Sequence, residues 1–229
     1  MTNELLWLIF LVFDLSMVIL AFRLWGKCGL YAMIAASVII CNIQVVVFVK
    51  MFGLVATLGN IVYASIFLST DILSECYGKK EARRGVWIGF FSLFWAMLAM
   101  QFAIRFIPDA SDSMMPHLKS IFELLPRVAM ASLIAYLISQ HHDIWAFHFW
   151  RMKTEGRMLW LRNNLSTMIS QLIDSLVFTL IAFWGIVERA ELFQIIATTY
   201  MFKLIVAGVD TPFIYLANRI KIATQKIKN

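Results

Sequence analysis

Charge is scarce in this chain. Asp, Glu, Lys and Arg make up 15% of its 229 residues, against roughly 25% in ordinary soluble domains, while 61% of the residues are hydrophobic and the mean hydropathy is +0.78. Such a composition excludes water as the main solvent, and the chain reads as an integral membrane protein. Cysteine is too rare to form a framework. Cys28, Cys41 and Cys76 sit in or beside apolar stretches, are odd in number and lack metal-ligand spacing, so neither a disulfide scaffold nor a structural metal is implied. Also missing are DDxxD, HExxH and GxSxG motifs and any glycine-rich phosphate loop, which argues against an enzyme. The start, MTNE, has no positive n-region, and Arg23 and Lys27 follow the first apolar run, so that run is expected to stay as a helix rather than act as a signal peptide. The net charge of +6 does not point to nucleic acid, because the basic residues fall in short clusters between apolar spans, as in cytoplasmic membrane loops.

What is present is a series of apolar spans near the length of about 20 residues that crosses the hydrocarbon. Seven are expected: about Glu4 to Leu24, Leu30 to Val49, Leu54 to Cys76, Val86 to Ile107, Ile121 to Gln140, Leu165 to Val187, and Leu192 to Leu216 with a kink at Pro212. A Pro-, Asp- and Ser-bearing loop, Pro108 to Lys119, separates the fourth from the fifth. The stretch His141 to Arg162, with Trp145, Trp150 and Trp160 among basic residues, suits the headgroup level. The predicted fold class is an all-α integral membrane protein, a polytopic helical bundle of seven transmembrane helices. Arg23 and Lys27, Lys79 to Arg84, Arg151 to Arg162, and Arg219 to Lys228 then fall on one side, leaving Lys50, Arg105, Lys119 and Arg189 on the other. The positive-inside rule puts the N-terminus outside and the C-terminus in the cytoplasm, in a multi-pass protein of the cytoplasmic or inner membrane.

Polar residues inside the spans carry the functional information. Asp71 and Glu75 lie one turn apart on the third span, about 40° from each other around the helix, so they form one acidic stripe. Each charge at membrane depth costs about 2.5 to 3.5 kcal/mol even on the mildest insertion scale, so the stripe must face protein, water or ligand. Asp14, Asn42, Gln44, Arg127, Gln171, Asp174, Lys203 and Asp210 also sit within spans. Gln171, Asp174 and Ser175 share one helix face, as do Ser132, Tyr136 and Gln140 on another. Several helices thus offer one polar face each, which is met most simply by a bundle around a polar pocket. Arg127 and Lys203 could instead serve as helix glue by neutralising acids, but two cations cannot neutralise Asp14, Asp71, Glu75, Asp174 and Asp210 together.

The segment Phe67-Leu-Ser-Thr-Asp71-Ile-Leu-Ser-Glu75-Cys-Tyr77-Gly78, with Ala82-Arg83-Arg84 behind it, resembles the signature of the queuosine precursor transporter family, also grouped as vitamin uptake transporters. Pro126-Arg127 through Ser132 and Tyr136, then Gln140 and Asp143, resemble its fifth-helix pattern. Leu161-Arg162-Asn-Asn-Leu-Ser166-Thr167 with Gln171, Asp174 and Ser175 resembles the next, and Phe202-Lys203 with Thr211-Pro212 the last. The resemblance covers about Asn42 to Arg219. Asn42 matches a family asparagine, Asp210 departs from the pattern, and Asp14 lies beyond it. The resemblance implies a single transmembrane domain over 1–229: an extra N-terminal helix at about 1–28, a six-helix core at about 29–219 and a basic cytoplasmic tail at 220–229.

It further implies a transporter, without cofactor or metal, that imports 7-deazaguanine compounds: 7-cyano- or 7-aminomethyl-7-deazaguanine, or queuine. A guanine-like edge offers two adjacent N–H donors that one carboxylate can accept together, while its ring oxygen and nitrogen need donors. The expected substrate-binding residues are Asn42, Asp71, Glu75, Arg127, Tyr136, Gln171, Asp174 and Lys203. Either Asp71 or Asp174 takes the donor edge, Tyr136 or a Trp stacks on the ring, and Glu75 acts as a gate or a helix-end anchor. The expected partners are the base and the lipid bilayer, with no nucleic acid, and with a homodimer or an ATPase coupling module left open. Two rival readings remain. One is a substrate-binding subunit of an energy-coupling ATP-driven importer, with Ala32 and Ala36 as a small-xxx-small contact. The other is a membrane-embedded enzyme with His141, His142, Asp143 and His148 as metal ligands.

Overall fold

The computed structural model describes residues 2–153, 159–209 and 211–228. Helix α1 (Asn3–Trp25) begins where the Thr2 hydroxyl accepts the Leu5 N–H and ends at Gly26, whose φ of 58° turns the chain directly into α2 (Lys27–Gln44). The corner is tight. A Cβ on Gly29 would lie 2.2 Å from the Ala21 carbonyl oxygen, so this approach of α2 to α1 needs glycine.

The next segment departs from expectation. Instead of a span beginning at Leu54, a hairpin forms from β1 (Phe48–Met51) and β2 (Leu54–Thr57), antiparallel, with Met51 opposite Leu54. Its two-residue loop, Phe52-Gly53, has positive φ at both positions (50° and 79°), the twist that suits a tight hairpin. Hydropathy alone cannot tell such short apolar strands from the head of an apolar helix. Helix α3 (Asn60–Tyr77) follows, then Gly78 and α4 (Lys79–Ala103). The expected Pro108 to Lys119 loop contains the start of α5 (Met115–Phe122), introduced by the Asp112 carboxylate, which accepts the Met115 N–H at 2.9 Å. Earlier in that loop the hydroxyl and N–H of Ser111 both bond Asp109, holding its carboxyl below the usual range.

Helices α6 (Leu125–Lys153), α7 (Leu159–Phe183), α8 (Arg189–Val209) and α9 (Thr211–Lys228) complete the described chain. The last expected span holds α8 up to Val209 and α9 from Thr211. Pro212, where a kink is expected, lies in α9. The expected C-terminal tail is helical as far as Lys228.

Among the described residues four stretches are long and apolar enough to cross a membrane: α1, α2, α4, and Met115–Ser139, which joins α5 to the head of α6. Helix α3 is not one of them, since Asn60, Ser65, Ser69, Thr70, Asp71, Ser74 and Glu75 dilute its hydropathy. Helix α4 directs Trp87, Phe91 and Trp95 outward, at 64–70% exposure. A soluble monomer rarely tolerates so large an apolar face, and lipid solvates it.

The chain divides into two compact units, Met1–Leu125 with Ile205–Asn229, and Pro126–Leu204. In the first, α2 packs against α1, α3 and α4, α3 also meets α1 and α9, and the hairpin rests on α1. Its core comprises Leu11, Leu15, Val18, Leu30, Ile34, Leu68, Ile72 and Leu73. In the second, Val128, Ala131, Ala135, Ala182, Phe183, Ile195 and Phe202 are buried.

Candidate functional site

Helix α3 buries one face and leaves the other partly open. Ile61, Val62, Ala64, Ser65, Leu68, Ser69, Ile72, Leu73 and Cys76 are buried, whereas Tyr63, Phe67, Thr70 and Ser74 are half-buried and Asp71 and Glu75 are exposed. The less buried residues recur every three or four positions and therefore form one stripe. Tyr63 and Phe67 meet edge to face, with centroids 4.9 Å apart and an interplanar angle of 84°. Thr70 turns its hydroxyl back to the Ile66 and Phe67 carbonyls at 3.0 and 2.8 Å. Asp71 accepts no hydrogen bond and forms no ion pair among the described residues, and Arg83 and Arg84 on the next helix do not reach it.

Glu75 has different company. Asn218 of α9 approaches it at 3.4 Å and also accepts from the Cys76 thiol, while Lys221 bonds the Cys76 carbonyl and stands 5.8 Å from the Tyr77 ring centroid. The cation thus lies at the C-terminal end of α3, where the helix dipole favours it. Asn42, on α2, is buried and donates to the Val38 carbonyl at 2.7 Å and to the Cys41 sulfur at 3.5 Å. Asp14, not counted among the expected ligands, is buried on α1 and accepts from Ser65 of α3. Glu81 gathers Tyr31, Lys27 and Arg84 at the start of α4. The first unit also holds a cavity of about 300 Å³ under the hairpin, lined by Trp7, Phe10, Gln44, Met51, Thr57 and Ile61 among others. None of the eight expected site residues lines it.

The second unit holds the other candidates. Asp174 of α7 is buried and paired with Lys203 of α8, and Ser139 of α6 donates to its other oxygen at 3.3 Å. Ser139 also bonds the Tyr136 carbonyl, which ties that residue's backbone to the same place. The Gln171 Oε1 atom and the Thr179 hydroxyl are buried without a partner among the described residues. Gln171 lies one turn before Asp174, so an unused acceptor sits on the face that carries the ion pair. Among the described residues Arg127 meets no acid: its Nε and Nη2 donate to the Ile181 and Trp184 carbonyls at 2.7 and 2.6 Å, closing the C-terminal end of α7.

The expected residues therefore form two sets, Asn42, Asp71 and Glu75 in one unit and Arg127, Tyr136, Gln171, Asp174 and Lys203 in the other. Of the histidines weighed as metal ligands, His142 sits 3.1 Å from the Ser170 hydroxyl. The side chains of Gln140, His141, Asp143, His148 and those of 160–167, together with Asp210, lie outside the described residues. Among the described residues no cluster of His, Cys, Asp and Glu could hold a metal ion. Sequence reasoning passed over Ser139, Ser65 and the Tyr63–Phe67 pair. For the aromatic pair a signal was available, since both residues lie on the helix face of Asp71 at four-residue steps.

Lipid-compatible outer faces, with carboxylates, amides and a lysine held inside apolar helices, define a polytopic helical membrane protein of the kind that handles polar solutes. The family model described as "Putative vitamin uptake transporter" matches residues 57–217. A "Probable queuosine precursor transporter" of Bacillus subtilis (strain 168) is 40% identical over 96% of this chain and 96% of its own. The "Queuosine precursor transporter" of Escherichia coli (strain K12) is 30% identical over 69% of this chain and 71% of its own. A "Probable queuosine precursor transporter" of Haemophilus influenzae is 28% identical over 68% and 65%. The chain belongs to this vitamin uptake and queuosine precursor transporter family, whose members here are named as transporters rather than enzymes. The Bacillus match, over 220 residues, takes in most of the α1 segment. No solved structure matches the chain.

Proposed function

We propose that this protein imports a queuosine precursor, 7-cyano- or 7-aminomethyl-7-deazaguanine or queuine, across the cytoplasmic membrane through a polar pocket in a seven-span helical bundle. The observation that carries the reading is the 40% identity over nearly the whole chain to a relative named for that cargo. The chemistry of the two residue sets supports it. A 7-deazaguanine presents adjacent N–H donors, a ring carbonyl and a flat π face, and so calls for a carboxylate, donors and an aromatic surface. Asp71 is a carboxylate with its acceptor capacity unused among the described residues, and Asn42 of the same unit is a candidate partner for another edge. In the other unit, the Gln171 oxygen, without a partner among the described residues, suits a ligand donor. The basic clusters at one end of the spans support an outside N-terminus and a cytoplasmic C-terminus.

The test is uptake in cells that neither make queuosine precursors nor carry their own transporter, read as queuosine in transfer RNA after each candidate base is fed. Restoration by this gene alone is expected, and the rank order of bases identifies the cargo. Expression in the membrane with no restoration by any base would remove the reading. Copurification of an ATPase module with an otherwise inactive protein would instead favour the binding-subunit alternative. Ala32 and Ala36, exposed on α2, would then be the contact to examine.

A further inference from the structure

The α3 stripe pairs two features that the transport reading leaves unconnected: a carboxylate without a partner among the described residues and an aromatic pair on the same face. Phe67 is one helical turn before Asp71, which places the two about 6 Å apart along the axis and about 40° apart around it. That axial offset matches the long dimension of a fused five- and six-membered ring. Tyr63, one turn further back, packs against Phe67 in a T-shaped pair rather than a face-to-face stack, and so braces it. Thr70 is turned onto its own backbone and does not compete for the space beside Asp71.

An exposed carboxylate in an apolar helix requires a polar partner, and an aromatic ring one turn away selects a partner that is flat. We infer that Phe67, braced by Tyr63, is the stacking platform for a bicyclic heterocycle whose paired amino and ring N–H donors are read by Asp71. The inference rests on the transport reading and deepens it, by assigning base recognition to α3 and to Phe67, a residue outside the expected ligand set. It also implies selectivity. Bases with two adjacent donors on the six-membered ring are accepted, and a 7-deazapurine with the same ring system but no exocyclic amino group is discriminated against at Asp71 alone.

The experiment is equilibrium binding to the full chain in lipid nanodiscs, with 7-cyano-7-deazaguanine and its analogue lacking the 2-amino group as probes. Binding of the first probe is expected to weaken by about 5- to 150-fold in Phe67→Ala, the range found for removing a ring that stacks on a base. Phe67→Leu, which keeps apolar bulk, should fall in the same range, and Phe67→Trp should stay near wild type. The analogue should bind the wild type about tenfold or more weakly, and this penalty should disappear in Asp71→Asn, as a direct contact requires. Wild-type affinity in Phe67→Leu, or an undiminished penalty in Asp71→Asn, would overturn the inference while leaving the transport reading standing. If the unaltered protein bound neither probe, nor 7-aminomethyl-7-deazaguanine, nor queuine, the transport reading itself would fall, and the inference with it. Should Phe67→Leu not fold, the Phe67→Trp comparison and the Asp71 analogue cycle decide the matter alone.

Discussion

Asp71 on α3 and Asp174 on α7 are the same residue type in apolar helices, yet their surroundings are opposite. Asp174 is buried with Lys203 on one oxygen and the Ser139 hydroxyl on the other, so α6, α7 and α8 meet at one carboxylate. Asp71 is exposed and has no such partner among the described residues. A buried ion pair is weak evidence for net stability, but removing one member leaves a charge without compensation. The first acid therefore ties its unit together. The second has its binding capacity still to use, which is the property a recognition group needs. Of the two acids weighed for the donor edge of a base, this contrast favours Asp71.

The largest effect should come from opening the closed acid. Lys203→Met leaves Asp174 charged and unpaired, at an expected cost of about 3 to 5 kcal/mol, seen as a much lower thermal midpoint in detergent or as protein missing from the membrane. Asp174→Asn added to it should recover a large part of the loss. If Lys203→Met melted like the wild type, Asp174 would be no more constrained than Asp71 and the contrast would fail.

Next in size is Arg127. It was weighed from sequence as a partner for an acid, but it donates to the Ile181 and Trp184 carbonyls, where its positive charge also meets the C-terminal end of the α7 dipole. Charge-assisted bonds of this kind contribute about 1.5 to 3 kcal/mol, so Arg127→Gln should lower the thermal midpoint. Arg127→Lys, which cannot reproduce the planar fork, should recover only part of it. A selective loss of substrate affinity with unchanged melting would show instead that Arg127 serves the ligand.

The cation on the α3 side gives a smaller effect. Lys221 contacts the Cys76 carbonyl and the Tyr77 ring, and an exposed cation–π contact contributes about 0.5 to 1 kcal/mol. Lys221→Met should release α9 locally, read as faster hydrogen exchange or protease cleavage there, with the melting of the rest little changed. Equal protection in variant and wild type would mean that α9 is held by its apolar face alone.

How far these features could be read in advance depended on what each leaves in the sequence. Intramembrane charge is costly, so Asp71, Glu75, Asp174 and Lys203 stood out by contrast with their apolar neighbours, and charge scarcity itself identified the solvent. The pairing of Asp174 with Lys203 rather than with Arg127 could not be read, because it depends on which helices meet, and no local pattern records that. Arg127 misleads for a related reason: a carbonyl at a helix end attracts a guanidinium as a carboxylate does, yet every residue has a carbonyl. The hairpin at Phe48–Thr57 was hidden because Val, Phe and Leu read as span by hydropathy, and its two-residue turn carries only one glycine. Helix α3 shows the opposite case: its polar stripe lowers its hydropathy, which blurs it as a span while making it prominent as a site.

The smallest structural effect should belong to Asp71, and there the contrast becomes sharpest. With no partner to lose among the described residues, Asp71→Asn should change stability by no more than about 0.5 kcal/mol, as substitutions at open positions do, and the protein should reach the membrane at wild-type level. Uptake should nevertheless be abolished, because an amide offers only one acceptor oxygen to a two-donor edge and no charge to strengthen the bond. Glu75→Gln provides the control on the same stripe: its carboxylate already has Asn218 nearby, so a milder transport defect is expected. If Asp71→Asn transported normally while Glu75→Gln did not, the recognising acid would be the one at the helix end. If Asp71→Asn were strongly destabilised, Asp71 would have a structural partner after all, and the distinction between a closed and an open acid would collapse.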